Sequence, residues 1–181
     1  MDINYKKKDN DIKLKGDAEG MYSLSYKEDA DILSNIIKEK FGDVKILDGT
    51  SSIGGNSISF GLNFSNTKAI EINKERFKYL QNNIKLFNLK TTLYNDDILN
   101  HLNDDYDLIF IDPPWGGPNY KLKNSISLSL SNVTLTDLTK KLRDLEKIII
   151  YKLPFNYNLN DFSKHNYEIH KIKNYLIIII Y

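Results

Sequence analysis

The 181 residues include no cysteine, so neither a disulfide framework nor a thiolate zinc site can be built, and a redox role is excluded. No run approaches the roughly 18 apolar residues that would span a bilayer. The greasiest stretch, Leu176 to Ile180, reads as a buried strand. The chain starts Met1-Asp2-Ile3-Asn4-Tyr5 and continues with three lysines, without the apolar core of a secretory signal, so the expectation is an intracellular protein with no membrane contact. A strong field of one sign is also missing: the net charge is +1, and any polyanion contact must be local. Arginine is scarce, with Arg76 and Arg143 alone among 25 basic residues, so phosphate would be met mostly by lysine point charges. What remains is ordinary globular material, 41% hydrophobic and 27% charged, which argues for one folded unit and against disorder or a repeat array.

Residues 1–24 are polar and weakly patterned, with Lys6 to Lys8, Lys13 and Lys15, and are expected to be an N-terminal arm contributing to a substrate or cofactor site. Residues 25–181 are expected to form a single domain. Ser25-Tyr26-Lys27-Glu28 has the form of a capping box, and Ala30, Leu33, Ile36, Ile37 and Phe41 continue it as a helix ending near Gly42. Short β-branched runs then alternate with amphipathic segments. Strands are expected at 44–47, 69–72, 92–94, 108–111 and 148–151, and helices after Gly55, over Phe77, Leu80, Ile84 and Phe87, and at 135–145. A closing hairpin is expected from 167–172 and 175–180. This β-α alternation predicts an α/β fold: a mainly parallel, seven-stranded sheet with helices on both faces and an antiparallel C-terminal hairpin.

In such sheets ligands lie beyond the C-terminal ends of the strands. After the first parallel strand comes Asp48-Gly49-Thr50-Ser51-Ser52-Ile53-Gly54-Gly55-Asn56, a small-residue loop that allows close backbone approach and aims helix amides at an anion. A plain tight turn is the competing reading. The loop has neither the G-x-G-x-x-G pattern nor a P-loop lysine, which disfavours pyrophosphate cofactors. Glu71, ending the second strand, has the position from which a carboxylate accepts ribose hydroxyls. Asn73 after it reads as a helix N-cap. Asn95-Asp96-Asp97 offers a carboxylate to an adenine amine, although acidic residues also suit a helix start. Together these outline a nucleoside site.

The fourth loop is the most specific: Asp112-Pro113-Pro114-Trp115-Gly116-Gly117-Pro118-Asn119-Tyr120. Prolines fix φ and withhold amide donors, leaving carbonyls to accept hydrogen bonds. The exocyclic amine of a nucleobase is a poor nucleophile because its lone pair is delocalised into the ring. Accepting its hydrogens at Asp112 and the Pro113 carbonyl would pyramidalise the nitrogen and aim the lone pair at an electrophilic methyl group, while Trp115 stacks on the base.

Residues 112–120 resemble the S-P-P-W-G-G-P-(D/E)-Y loop of the trimethylguanosine synthases, the RNA-cap guanine-N2 methyltransferases. Asp17-Ala18-Glu19-Gly20-Met21-Tyr22-Ser23-Leu24-Ser25 resembles that family's D-x-E-G-(W/Y)-(F/Y)-S-V-T segment. Residues 48–56 resemble its D-x-F-C-G-V-G-G-N loop, and Leu153-Pro154-Phe155-Asn156 its L-P-R-N turn. The resemblance implies a Rossmann-like class I methyltransferase that uses S-adenosylmethionine, with capped RNA or 7-methylguanosine nucleotides as acceptor. By position it implies that Asp48, Gly54, Gly55 and Asn56, with Ser25, line the methionine part. Glu71 would take the ribose and Asp96 the adenine. Asp112, Pro113 and Pro114 would hold the amine and Trp115 the base, with Lys13, Lys15 and Asn156 on the substrate side. A 7-methylated guanine is cationic, so cation-π attraction to Trp115 would favour it by about 1 to 2 kcal/mol.

The sequence departs from that pattern at three places. Asp112 stands for a serine, Ser52 for a glycine and Phe155 for an arginine, which leaves Lys121, Lys123 or Lys152 to meet the cap triphosphate. Two alternatives stay open: methylation of a base amine in rRNA or DNA, and a catalytically decayed cap-binding subunit. His101, His165 and His170 are scattered, so no metal is expected.

Overall fold

A computed structural model of the chain describes the backbone of residues 2–7 and 10–181, and side chains from Ile12 onward. Lys6 to Lys8 of the expected arm therefore lie outside the described side chains. Residues 1–100 and 101–181 form two compact units.

In the first unit, β1 (Asp2–Lys7) pairs antiparallel with β2 (Asn10–Lys15) and leads to a short helix, α1 (Ala18–Tyr22). The Asp17 carboxylate caps α1 by accepting from the Gly20 amide at 2.8 Å. The segment read as weakly patterned thus carries two strands and a helix turn. Alternating side chains on β2 explain the anchoring: Leu14 is fully buried while Lys13 and Lys15 are exposed. A Cβ on Gly20 would come within 2.5 Å of Ile53, so glycine there permits α1 to sit on the loop that contains Ile53.

α2 (Lys27–Phe41) buries Ala30, Leu33 and Ile37 and ends at Gly42 with φ 73°. Its N-cap is Tyr26, with no side-chain cap bond, so the expected capping box does not form. Ser25 faces the other way, and its hydroxyl accepts from Asn56 Nδ2 at 3.0 Å.

β3 (Ile46–Asp48), α3 (Gly55–Asn63), β4 (Thr67–Ile70), α4 (Lys74–Leu86) and β5 (Thr92–Tyr94) then alternate, with β3 parallel to β4 and β4 to β5. β4 lies two residues earlier than the apolar run suggests. Its Thr67 is buried and its hydroxyl pairs with that of Thr91 at 2.9 Å, while Ile72 is 64% exposed in the loop beyond. Asn73 caps α4 as expected, accepting from Glu75 N and Arg76 N.

In the second unit β6 (Leu108–Ile111) is buried throughout and runs parallel to β9 (Ile148–Pro154). Between them lie a 3-10 turn (Pro118–Leu122), a small hairpin of β7 (Ser129–Leu130) and β8 (Val133–Thr134), and α5 (Leu135–Asp144). β10 (Tyr167–Ile172) and β11 (Tyr175–Ile180) form the expected antiparallel hairpin, and β11 also pairs antiparallel with β9. β9 continues three residues past the expected Tyr151. Lys152 looked like a strand end in sequence, but it is buried by a partner described below. Seven strands make the main sheet, in the order β10-β11-β9-β6-β3-β4-β5, which is the expected mainly parallel architecture with an antiparallel edge.

Candidate functional site

Each unit carries half of the expected site, at the C-terminal ends of its parallel strands.

In the first unit Asp48 is almost fully buried and organises its own loop. Its Oδ2 accepts from Ser57 Oγ at 2.5 Å and its Oδ1 from Thr50 N at 3.3 Å, while its carbonyl accepts from Ser51 Oγ at 3.0 Å. The loop is pinned across the sheet by Ser51 N donating to the Ile70 carbonyl at 2.9 Å. Gly54 adopts φ 103°, a conformation that favours glycine, and opens α3. Gly55 serves close approach: a Cβ there would lie 2.6 Å from the Ser25 carbonyl oxygen. Ser25, Gly55 and Asn56 are thereby brought together where α3 begins.

Ser52 is left-handed at φ 50°, where a glycine would be relaxed, and its Oγ is buried with no hydrogen-bond partner among the described residues. Its backbone amide is near enough to Glu71 to favour the ionised carboxylate. Glu71 is 7% exposed just past β4, and its Oε1 accepts from Asn73 N at 2.6 Å. Burial pushes its carboxyl above the ordinary glutamate value, against the opposing pull of the Asn73 amide and of Arg76. Arg76 pairs with Glu19 of α1 at 3.0 Å, which brings the D-x-E-G segment to the Glu71 end of the sheet. Asp96 accepts from Asp97 N at 2.7 Å and Asn100 Nδ2 at 2.9 Å, and Asp97 takes the Leu99 amide.

Two organising residues in this half escaped sequence reasoning. Asn95 Nδ2 donates to the Glu71 carbonyl at 2.8 Å and joins the two loops. Asn83 of α4, fully buried, ties β2 to the Ser52-Ile53 loop: it accepts from Lys15 N at 2.9 Å and donates to the carbonyls of Lys15 and Ile53, each at 2.8 Å. A polar residue on the otherwise apolar Leu80-Ile84 face was the available signal.

In the second unit Asp112 follows the last paired residues, Ile111 and Tyr151, so the next residue on β9, Lys152, stands beside it. Lys152 Nζ lies 2.7 Å from Asp112 Oδ2. Burial pushes the Asp112 carboxyl above the ordinary aspartate value, and Lys152 pulls the other way. Lys152 is therefore committed to this pair, which corrects its expected place among the triphosphate-binding lysines. Lys121 and Lys123 are exposed.

Pro113 is buried and Pro114 exposed. Gly116 and Gly117 both have positive φ, 85° and 72°, with open space around their absent Cβ atoms, so they are needed for the turn itself. Trp115 is half-buried, edge-on to Tyr120 at 5.2 Å and 83°. Its indole nitrogen has no hydrogen-bond partner among the described residues, yet lies near enough to Asp112 to lower that carboxyl's proton affinity. Trp115, Pro114, Tyr120, Lys123, Ile126 and Leu128 are among the residues around a cavity of about 220 Å³. That is smaller than the roughly 300 to 1,000 Å³ of drug-sized pockets and on the scale of one base. Asn156 is spent on the same loop, donating to the carbonyls of Tyr120 at 2.9 Å and Lys123 at 2.8 Å.

A family model described as RNA cap guanine-N2 methyltransferase matches residues 44–180. The chain belongs to the RNA cap guanine-N2 methyltransferase family. Among its relatives, an uncharacterised protein of Acanthamoeba polyphaga mimivirus is 36% identical over 146 residues, covering 75% of this chain and 57% of that protein. The trimethylguanosine synthase of Schizosaccharomyces pombe is 26% identical over 159 residues, covering 82% and 66% respectively. That of Saccharomyces cerevisiae is 26% identical over 157 residues, covering 79% and 49%. The chain thus spans about half to two-thirds of the length of these relatives.

Solved structures agree on the fold. A hypothetical protein of Thermus thermophilus aligns with TM-score 0.69 at 13% identity, over 93% of this chain and 92% of that one. The 16S rRNA N2 G1207 methyltransferase of T. thermophilus, in complex with AdoMet and guanosine, aligns with TM-score 0.66 at 12% identity, over 99% and 50%. The cofactor held by that neighbour is S-adenosylmethionine. The first unit fits it: Glu71 is a buried acceptor-only carboxylate at the strand end, and Ser52 presents an orphaned hydroxyl beside it. Among the described residues no helix is long and apolar enough to cross a membrane, and no group of His, Asp and Glu has metal-ligand geometry.

Proposed function

We propose that this protein methylates the exocyclic 2-amino group of guanine in 7-methylguanosine RNA caps. The observation that carries this reading is the half-buried Trp115 beside a base-sized cavity, on the same loop as Asp112 and the two prolines. S-adenosylmethionine, when bound, supplies an electrophilic methyl group whose sulfur keeps the bonding electron pair. Glu71 accepts the ribose hydroxyls, and Gly54, Gly55, Asn56 and Ser25 shape the methionine end on a loop braced by Asp48. Asp96 meets the adenine amine. Trp115 holds the guanine by stacking, and Asp112 and the Pro113 carbonyl accept the two amine hydrogens. Polarised in this way the nitrogen attacks, and the surplus proton leaves it through the Asp112 hydrogen bond. The cap phosphates meet exposed lysines, Lys13, Lys15, Lys121 and Lys123 among them.

Methylation of a base amine in ribosomal RNA or DNA is the second reading, favoured by Asp112 in place of the family's serine. Calorimetry on Trp115→Ala and Asp112→Ala tests the proposed roles. Trp115→Ala is expected to abolish binding of 7-methylguanosine triphosphate while leaving S-adenosylmethionine affinity within about twofold. Asp112→Ala is expected to keep both ligands and lose turnover. Equal loss of both ligands in Trp115→Ala, or full turnover in Asp112→Ala, would refute the assignment.

A further inference from the structure

Lysine is among the residues least often buried, because its ammonium loses water that the interior does not replace. The Lys152 side chain is nevertheless only 10% exposed, within a strand whose neighbours Tyr151 and Leu153 are fully buried. Its Nζ lies 2.7 Å from Asp112 Oδ2, 5.0 Å from the centre of the Tyr175 ring and 5.9 Å from that of Trp115. A carboxylate from the loop after β6 and two aromatic faces, one from that loop and one from β11, thus replace its water shell. If the pair served stability alone, two apolar residues of similar volume would serve as well or better. Its position argues for more, because its acidic member is the residue that receives the amine hydrogens in the reaction proposed above, on which this inference rests.

We propose that Lys152 is a positioning residue for methyl transfer. It keeps Asp112 ionised and fixes the carboxylate beside Trp115, so that the acid accepts hydrogens from the base amine where a protonated acid would donate one. The need arises from the Asp112 side chain itself, which the structure leaves only 18% exposed. A serine at that position would need no counter-charge. Facing Asp112 are Lys152 from β9 and, behind it, Tyr175 from β11, with the Trp115 indole on its own loop. Burial already raises the proton affinity of Asp112, and Lys152 is the largest influence opposing it. Without the ammonium, the weaker pull of the Trp115 indole remains against burial, and the acid form extends to higher pH.

The test compares wild type, Lys152→Met and Lys152→Arg in two measurements. One is the pH profile of methyl transfer to 7-methylguanosine triphosphate. The other is the titration of the Asp112 carboxyl carbon by 13C NMR, assigned with Asp112→Asn. In Lys152→Met the acid limb and the NMR midpoint are expected to move up together by at least one pH unit. At a pH below both midpoints, that is about a tenfold loss of turnover. S-adenosylmethionine affinity is expected to stay unchanged, and Lys152→Arg to restore both midpoints. Lys152→Gln is the second variant if Lys152→Met does not fold. An unmoved midpoint, or a loss of turnover equal at every pH, would overturn the proposal. If the wild type methylates no guanine substrate, the cap reading fails, while the NMR midpoints still decide whether Lys152 holds Asp112 ionised.

Discussion

Replacing Asn83 by alanine should be among the most damaging single changes in the first unit, although the residue touches no expected ligand. Asn83 is fully buried, and its amide answers three backbone groups: Lys15 N, the Lys15 carbonyl and the Ile53 carbonyl. Alanine leaves all three without a partner. An unsatisfied buried backbone group costs about 1 to 3 kcal/mol, and the two at Lys15, being partly buried, recover some of that from water. The expected total is about 3 to 5 kcal/mol. For a chain of this size each kcal/mol moves the melting temperature by about 2 to 4 °C, so a fall of about 6 to 20 °C is expected in thermal unfolding. Asn82→Ala, which removes a single donor to Asn83 Oδ1, should lie within about 1 kcal/mol of wild type. Hydrogen exchange adds a local readout: the Lys15 amide should lose protection in Asn83→Ala while β4 keeps its own. Because the Ile53 carbonyl belongs to the loop proposed to shape the cofactor end, S-adenosylmethionine affinity should fall as well. A destabilisation below about 1 kcal/mol, or unchanged Lys15 protection, would refute this account of Asn83.

Two further outcomes follow from the same half. Ser52→Gly relieves a left-handed serine and removes an orphaned hydroxyl, so thermal unfolding should show a gain of about 1 kcal/mol; a loss would mean that the hydroxyl has a partner in solution. The raised Glu71 carboxyl gives a signed pH dependence. The folded state holds this proton more tightly than the unfolded chain, so this group adds stability as pH falls through its folded value toward 4.5 and costs stability above it. With the proposed ribose role of Glu71, cofactor binding runs the other way, because ribose hydroxyls need the ionised acceptor. Calorimetric affinity for S-adenosylmethionine should weaken as pH falls through the same window, and Glu71→Gln should flatten that dependence. An affinity equally pH-dependent in Glu71→Gln would contradict it.

The β-α order and four strands, 92–94, 108–111, 167–172 and 175–180, were legible because each is a β-branched or apolar run bounded by turn residues. Misplacements arose where tertiary partners outweighed local pattern. β4 starts at a threonine that finds a hydroxyl partner 24 residues away, and β9 runs through a lysine that finds a carboxylate 40 residues away. The Ser25 capping box failed because its hydroxyl is taken by Asn56. Among the candidate site residues, the D-P-P-W loop, the small-residue loop and Glu71 stood out in the sequence by composition at expected strand ends. Asn83 and the Asp112–Lys152 pair did not, because a polar side chain buried among apolar neighbours is explained only by what it meets in three dimensions. The glycines were legible as necessary, but their reason was local. Gly20 and Gly55 make room for Ile53 and the Ser25 backbone, and Gly116 and Gly117 turn the chain.

The most direct test is to incubate the protein with S-adenosylmethionine and RNA that carries a 7-methylguanosine cap, an unmethylated guanosine cap or no cap, digest the products to nucleosides, and locate the added methyl by mass spectrometry. The expected product carries it on the guanine 2-amino nitrogen, and only from RNA with the 7-methylguanosine cap. A methyl on adenine or cytosine, or incorporation indifferent to 7-methylation, would contradict the account.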